Sequence, residues 1–246
     1  MAQQTLEIEG PAGTISGVVS DPPRAIDRGR TLFICHGLPL SRDGASTASR
    51  LLPELAERVA QEAGWRAVAV SFRGIGDSKG SFSASGWLED LNAVLDAELG
   101  DRRGYSIAGF GFGGAIALRQ AANDERARGV VALATPSKLQ KWCGEASNFL
   151  NACKHAGVIG TADKVDADAL RDDVIALDPC GAMAAIPPRR ILVIHGSVDT
   201  TVPESSARDL VDAAQGHAEL RIIQGAGHWL RADPRMVATL LGWLDR

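Results

Sequence analysis

An acidic residue and a histidine each follow a predicted buried strand in the C-terminal third of the chain. Asp199 comes just after the apolar run at 191–195, and His228 comes just after the run at 219–223. Parallel strands end at the same edge of a sheet, so we expect these two side chains to lie close together. A carboxylate that holds a histidine fixes its tautomer, and the imidazole can then take a proton from a neighbour. The pattern predicts an acid–histidine dyad.

The group that such a dyad would activate is missing from the position where it is expected. A glycine-rich run, Gly109-Phe110-Gly111-Phe112-Gly113-Gly114, follows an apolar strand at 105–108 and opens a helix at 113–122. This run resembles the G-x-S-x-G turn on which α/β-hydrolases carry their nucleophile, but Gly111, at the position of the serine, has no side chain. The junction strains its central residue by about 1–3 kcal/mol when that residue is not glycine. We therefore expect Gly111 to favour the fold and to leave the nucleophile position vacant.

The motifs around this junction resemble those of a known superfamily. The run at 71–80, S-F-R-G-I-G-D-S-K-G, resembles the F-R-G-x-G-x-S-x-G loop of small bacterial hydrolases allied to the serine aminopeptidase and dienelactone hydrolase groups. Over nearly its full length the chain is similar to members of the α/β-hydrolase fold superfamily. Their junction carries G-x-S-x-G, and the acid and histidine follow it in that order. This chain departs from the pattern at the nucleophile, where Gly111 stands in place of serine.

The resemblance implies roles for several residues. Asp199 and His228 would be the catalytic dyad, and the backbone N–H groups of Leu38 and Phe112 would form the oxyanion hole. Neither donor needs a particular side chain, so the loss of the serine hydroxyl would leave this anion-binding corner intact. Each residue type also has a purely structural alternative. His36-Gly37 would suit a tight turn, Asp199 would suit a helix cap near Val202, and His228 would suit a solvated loop.

A nucleophile displaced to another position is a further alternative. Ser106 lies five residues upstream of Gly111, about 16 Å away along an extended strand. Thr135, Ser137 and Cys143 follow a core strand and lie nearer the predicted site. No sequence rule puts any of them beside His228. The same glycine run formally contains G-x-G-x-x-G, but no acidic residue ends the next strand as a dinucleotide site requires, so we expect no cofactor.

Three functions remain open on this sequence. The first is a pseudohydrolase that binds a small acyl or carbonyl ligand without turnover. The second is an enzyme in which His228, held by Asp199, acts as a general base on water or on a carbon acid. The third is an ordinary carboxylesterase-like hydrolase inactivated by replacement of serine with glycine at position 111. Removal of the nucleophile of a serine hydrolase lowers turnover about a millionfold, so serine-type catalysis is not expected.

The elements needed to position these residues follow an alternating pattern of strands and helices. An edge hairpin at 5–8 and 14–19 precedes the core strands, which are predicted at 31–35, 66–72, 105–108, 129–134, 191–195 and 219–223. Helices are predicted at 46–63, 86–99, 113–122, 204–214 and 234–244. This alternation predicts an α/β fold with a doubly wound, mostly parallel sheet and a single domain over 1–246.

Residues 136–188 interrupt the alternation, since they contain no convincing strand. We interpret them as a short helical cap inserted within the domain. Trp142, Phe149, Leu150 and Val158 would then either line a pocket or anchor the insert to the core. The sequence leaves these two roles open.

Composition excludes several classes of function. The chain has 246 residues, 45% of them hydrophobic, and a formal net charge of -4. Its basic residues are dispersed, so no nucleic-acid surface is predicted. No apolar run is long enough for a membrane helix, and the N-terminus lacks a signal-peptide pattern. The four cysteines have no metal-site spacing and suit free thiols in a cytoplasmic protein. The expected partner is a small molecule, and the oligomeric state is left open.

Overall fold

The computed structural model describes residues 3–50, 52–100 and 104–246, and over these residues it contains one eight-stranded sheet. In chain order the strands are β1 (Gln4–Gly10), β2 (Gly13–Ser20), β3 (Thr31–Cys35), β4 (Arg66–Ser71), β5 (Tyr105–Phe110), β6 (Ala127–Leu133), β7 (Arg190–Gly196) and β8 (Ala218–Ile223). Their spatial order is β1-β2-β4-β3-β5-β6-β7-β8. The predicted hairpin forms one edge, where β1 and β2 pair antiparallel.

From β4 to β8 in the spatial order all pairings are parallel, and of the described strands only β2 runs in the opposite direction, antiparallel to both β1 and β4. Every residue of β3 and β5 is buried, which is typical of strands covered by helices on both faces. The parallel strands therefore end at a common carboxyl edge, and each loop that follows them opens there.

Helices cover both faces of the sheet. In chain order they are α1 (Leu52–Arg58), α2 (Ala84–Leu99), α3 (Phe112–Asn123), α4 (Leu139–Cys143), α5 (Ala146–Ala156), α6 (Ala167–Ile175), α7 (Pro179–Ala185), α8 (Ser205–Ala213) and α9 (Pro234–Leu244). Helices α2, α3 and α8 pack in one hydrophobic core, whereas α1 and α9 pack in the core on the opposite face. The doubly wound, mostly parallel α/β sheet predicted from the sequence is confirmed.

The first helix is shorter than predicted. Residues 46–63 were expected to be helical throughout, but α1 begins at Leu52, and a single wide turn at Val59–Ala63 completes it. Pro53 has no N–H and a fixed φ, and such a residue suits the first turn of a helix rather than its interior. Leu51 lies outside the described residues. Gly64, with a φ of 71°, ends the helix as the glycine in the sequence indicates.

Residues 136–188 contain α4, α5, α6 and α7, which pack beside α2 and α3. The ring of Trp142 stacks on Phe112 with centroids 5.3 Å apart, and Phe149 lies edge-on to Phe82 at 6.5 Å. Phe149 and Val158 are almost fully buried. Of the two roles left open by the sequence, these aromatic contacts support anchoring of the segment to the core.

Candidate active site

Gly111 forms a sharp turn between β5 and α3. Its φ of 53° and ψ of −121° lie in a region that L side chains rarely adopt and that glycine tolerates. The Gly111 N–H donates to the carbonyl oxygen of Leu133 at 2.7 Å, and its own carbonyl accepts from the N–H of Gly114 at 3.0 Å. These bonds fix the turn on the neighbouring strand, so the unusual backbone conformation is held by main-chain contacts.

Three of the four glycines of the turn, at 109, 111 and 113, differ in what surrounds them. A Cβ on Gly109 would overlap the carbonyl oxygen of Gly113, and a Cβ on Gly113 would overlap the carbonyl oxygen of His36. A Cβ on Gly111 would instead lie 3.7 Å from Nε2 of His228, at ordinary van der Waals distance. Close packing therefore requires glycine at 109 and 113. At 111 there is room for a side chain, and it would point at the histidine.

His228 and Asp199 form the predicted pair. Nδ1 of His228 lies 2.8 Å from Oδ2 of Asp199, and the Asp199 side chain is fully buried while that of His228 is 22% exposed. Burial of Asp199 opposes its ionisation, but hydrogen bonds from His228 and from the Val202 N–H outweigh burial and lower the carboxyl pKa. The ionised carboxylate accepts from Nδ1–H, so the neutral imidazole carries its lone pair on Nε2.

Asp199 also has the structural role that the sequence allowed. Its Oδ1 accepts the N–H groups of Thr201 and Val202, both at 2.8 Å, while Oδ2 faces His228. One oxygen thus orders the turn after β7 and the other orients the imidazole. The loops are joined by the N–H of Val198, which donates to the carbonyl oxygen of Ala226 at 3.0 Å.

His36 has a structural role beside the turn at Gly111. Its Nε2 accepts the Phe72 N–H at 3.0 Å, and its Nδ1 donates to the Gly37 carbonyl at 2.9 Å. Burial lowers the pKa of this imidazole to about 4, so it is neutral near pH 7. It fixes the loop that carries Leu38.

The two residues predicted to form the oxyanion hole, Leu38 and Phe112, both lie near Gly111. Leu38 lines the same small cavity as Gly111, and Phe112 is the first residue of α3. The first N–H groups of a helix have no intrahelical acceptor, and the helix dipole adds positive potential there. This corner can therefore stabilise negative charge on an oxygen held beside Gly111.

The cavity at the carboxyl edge has a volume of about 90 Å³. A space of this size suits a small ligand. Among the described residues that line it, Arg231 is the only arginine or lysine, and none carries a carboxylate. They are Gly37, Leu38, Pro39, Ser41, Gly44, Thr47, Ala48, Phe110, Gly111, Ala134, His228, Trp229, Leu230 and Arg231. Trp142, Phe149, Leu150 and Val158 are not among them.

Two further residues of the site escaped the sequence prediction. His195 is fully buried, and its Nε2 donates to the Val202 carbonyl at 2.9 Å and lies 3.5 Å from Oδ2 of Asp199. Arg231 donates to the Ala48 carbonyl at 3.2 Å and lies over the exposed ring of Trp229. Burial lowers the pKa of Arg231. The sequence offered one signal for them, their spacing from the dyad. His195 lies four residues before Asp199, and Arg231 lies three residues after His228.

Three of the four candidates for a displaced nucleophile form hydrogen bonds elsewhere. Within residues 3–50, 52–100 and 104–246, no hydroxyl or thiol is hydrogen-bonded to Nε2 of His228. The hydroxyl of Ser137 donates to Asp209 at 3.0 Å, and the thiol of Cys143 donates to the Leu139 carbonyl at 2.9 Å. Thr135 donates to the Leu133 carbonyl, and Ser106 lies near the amino end of β5.

The part of the chain that the structure describes contains no cluster of three or more His, Cys, Asp or Glu side chains able to hold a metal ion. None of its helices has the length and apolar character needed to cross a bilayer. All four cysteines are free thiols, and burial raises the pKa of Cys35 far above its usual range.

Comparison with known proteins identifies the fold. The family model for the α/β-hydrolase fold matches residues 30–151. A lidless α/β serine hydrolase from Xanthomonas campestris is similar at a TM-score of 0.66 and 23% identity, over 99% of this chain and 92% of that one. A serine hydrolase homologue from Coxiella burnetii has a TM-score of 0.64 and 21% identity, over 100% of this chain and 97% of that one. The esterase domain of a Rhodothermus marinus protein has a TM-score of 0.72 and 16% identity, over 100% of this chain and 97% of that one. No curated protein matches significantly.

Proposed function

We propose that this chain, which has the α/β-hydrolase fold, is a hydrolase-fold protein without the serine nucleophile. It binds a small acyl or carbonyl ligand beside Gly111 and forms no acyl-enzyme. One observation carries the proposal. A side chain at position 111 would have its Cβ 3.7 Å from Nε2 of His228, and the chain has glycine there.

The ligand class follows from the size and charge of the cavity. A volume of about 90 Å³ suits a short acyl group better than a long one. The N–H groups of Leu38 and Phe112 and the guanidinium of Arg231 favour an oxygen with negative charge. A small carbonyl compound or carboxylate meets both conditions.

A second function is favoured by the intact dyad. The 2.8 Å bond between His228 and Asp199 leaves Nε2 as a proton acceptor that faces the cavity. A ligand with an acidic carbon–hydrogen bond, or a carbonyl ligand with a water beside it, would give its proton to Nε2 while the corner at Leu38 and Phe112 stabilises the oxyanion. This reaction needs no side chain at position 111.

Restoration of the nucleophile tests the proposal. We expect Gly111→Ser to hydrolyse p-nitrophenyl acetate at least about a hundredfold faster than the wild type, and to prefer it over the octanoate ester. Gly144→Ser is the matched control, because Gly144 has a similar backbone conformation, with a φ of 63° and a ψ of −136°, and open space around it. Fast ester hydrolysis by the wild type would contradict the proposal. A kcat/KM of the Gly111→Ser variant above about 10⁴ M⁻¹ s⁻¹ would favour an ordinary esterase that had lost its serine.

His228→Ala separates the two functions. Binding of small carboxylates and ketones is measured by ligand-observed NMR, and exchange of their α-protons with deuterated water reports proton abstraction. Under the binding function, wild type and His228→Ala bind alike and neither catalyses exchange. Under the general-base function, the wild type catalyses exchange and His228→Ala abolishes it.

A further inference from the structure

The two outermost strands of the sheet differ in the charges they carry. Among the described strands, β1 pairs only with β2, and β8 pairs only with β7. An outermost strand presents unpaired N–H and C=O groups that can pair with another chain. The charged side chains of β1 are both acidic, Glu7 and Glu9, whereas β8 carries one of each sign, Glu219 and Arg221. Only β8 therefore offers opposite charges to a second copy of itself.

The backbone of β8 determines which of its residues face the open side. The Ile223 carbonyl accepts the N–H of Ser197, the residue after β7, at 3.1 Å. Successive residues of a strand direct their backbone groups to opposite sides, so the odd-numbered residues of β8 face β7 and the even-numbered ones face away. In agreement, Nη1 of Arg221 reaches the outward carbonyl of Leu220 at 2.9 Å. The residues that face the open side are Ala218, Leu220 and Ile222.

Charge selects one way of pairing two copies of β8. An antiparallel pairing must match outward-facing residues with outward-facing residues, so near the middle of the strand it is centred on Glu219, Leu220 or Arg221. Centring on Glu219 or on Arg221 puts that side chain opposite its own copy. Centring on Leu220 puts Glu219 of each copy opposite Arg221 of the other, with about 4.5–5.5 Å between their Cβ atoms. Directly opposed like charges are destabilising and unlike charges are stabilising, so pairing centred on Leu220 is favoured.

The same pairing continues the apolar face of the sheet. Leu220 would oppose Leu220 of the second copy, and Ala218 would oppose Ile222. These three side chains are half-buried and pack against the core on the α8 face, and pairing would cover them further. Up to about six backbone hydrogen bonds would join the two strands. Backbone direction, charge and apolar character therefore agree on one arrangement.

Arg221 occupies the open side of β8 in the single chain. Its Nη2 lies 3.2 Å from Glu219, which also accepts from Arg246 at 3.1 Å. The Arg221 side chain is 52% exposed, and ion pairs between exposed side chains contribute little to stability. On pairing, the Leu220 N–H of the second copy would replace the guanidinium at the Leu220 carbonyl, and Arg221 would turn to Glu219 of the second copy. Because similar contacts are exchanged, association should depend on protein concentration.

We propose that the chain forms a two-fold symmetric dimer in which the β8 strands pair antiparallel about Leu220. The eight strands of each copy then form one continuous sheet. Such a contact uses the same surface on both copies and closes after two. Strands β6 and β7 lie between β8 and β5, the strand that leads to Gly111. The dimer is therefore independent of the function proposed for the site at Gly111.

Charge reversal, followed by sedimentation velocity from micromolar to millimolar concentrations of the full chain, tests this proposal. We expect the wild type to show a reversible monomer–dimer equilibrium. Glu219→Arg and Arg221→Glu should each weaken self-association about tenfold or more, because like charges then face each other across the axis. An equimolar mixture of the two variants should regain a dimer, since the basic side chains of one face the acidic side chains of the other. Glu7→Arg, the same charge change on β1, should leave the association unchanged.

Several results would overturn the dimer. One is a wild type that stays monomeric at every concentration, and another is equal weakening by Glu7→Arg. Far-UV circular dichroism checks that each variant is folded. If both folded charge variants lost self-association and their mixture did not regain it, opposed charges would not define the interface. Species larger than a dimer that Glu7→Arg removes would assign the contact to pairing of β1 with β8.

Discussion

The two halves of the carboxyl-edge site differ in what holds them in place. The nucleophile half consists of the turn at 109–114 and the His36–Leu38 loop, and main-chain bonds and close-packed glycines define it. The dyad half consists of Asp199 and His228, and a side-chain bond of 2.8 Å defines it. The nucleophile half is held in place by its backbone and has no reactive side chain. The dyad half is held in place by its reactive side chains themselves.

This difference explains how the turn can keep its geometry without a reactive side chain. A backbone-defined turn does not depend on the hydroxyl at its centre, because the strain at that position is relieved by glycine. A side-chain-defined dyad has no such independence, since the loss of either partner leaves the other buried and unpaired. The contrast predicts that changes in the two halves will have effects of different kinds.

The largest effect is expected in the dyad half once a nucleophile is present. In a Gly111→Ser background, Asp199→Asn should lower kcat for p-nitrophenyl acetate by about 10³–10⁴-fold, because the imidazole loses the carboxylate that sets its tautomer. Asp212→Asn, an exposed residue on α8, is the control. Equal rates for Asp199→Asn and Asp212→Asn would mean that the dyad is not used.

The second-largest effect is expected from packing, which is closer around the glycines of the nucleophile half than in the histidine loop. Gly109→Ala should lower the free energy of unfolding by about 3 kcal/mol or more, because its Cβ would overlap the Gly113 carbonyl oxygen. Gly227→Ala in the histidine loop has open space and should change it by less than about 0.5 kcal/mol. Chemical denaturation measures both values, and similar costs at the two positions would contradict the account.

Acid should destabilise the two halves in different pH ranges. His36 has a folded-state pKa of about 4 against about 6.5 when unfolded, so stability should fall by about 3 kcal/mol as the pH drops from about 6.5 to 4. The pKa of Asp199 is lowered by folding, so its contribution is present above about pH 3.9 and is lost below it. Denaturation across pH, with NMR of the His36 ring, checks this order. A His36 that titrates near pH 6.5 in the folded protein would refute it.

The smallest difference is expected between two glycines with similar backbone angles. Gly111→Ala and Gly144→Ala should each cost about 1–3 kcal/mol, because neither added Cβ meets a close contact and both residues have positive φ. Paired thermal denaturation compares them. If Gly111→Ala cost several kcal/mol more than Gly144→Ala, the turn at Gly111 would have no room for a side chain.

Strand positions were predictable because burial on both faces leaves short, continuous apolar runs. The predicted runs at 31–35 and 191–195 match β3 and the centre of β7, and the helix at 234–244 coincides with α9. The start of α1 was missed because proline at position 53 sets the helix start where apolar spacing alone suggests a longer helix.

Side-chain partners were less predictable than strand ends. The topology brings the loops of Asp199 and His228 together, but the division of labour between the two Asp199 oxygens depends on the turn at 199–202. His195 and Arg231 were missed because a buried histidine in a strand and an arginine in a loop have ordinary structural uses. The role of Trp142 was undecided because an aromatic stripe has the same pattern in a pocket and in a core.

The vacancy at position 111 is tested most directly by labelling with a serine-directed fluorophosphonate and measuring the intact mass. The account predicts that the wild type and the Gly144→Ser variant gain no mass, and that Gly111→Ser gains one phosphonyl group in a reaction that Asp199→Asn slows. Stoichiometric labelling of the wild type would reveal a nucleophile elsewhere and contradict the central claim, as would a folded Gly111→Ser variant that resists the probe.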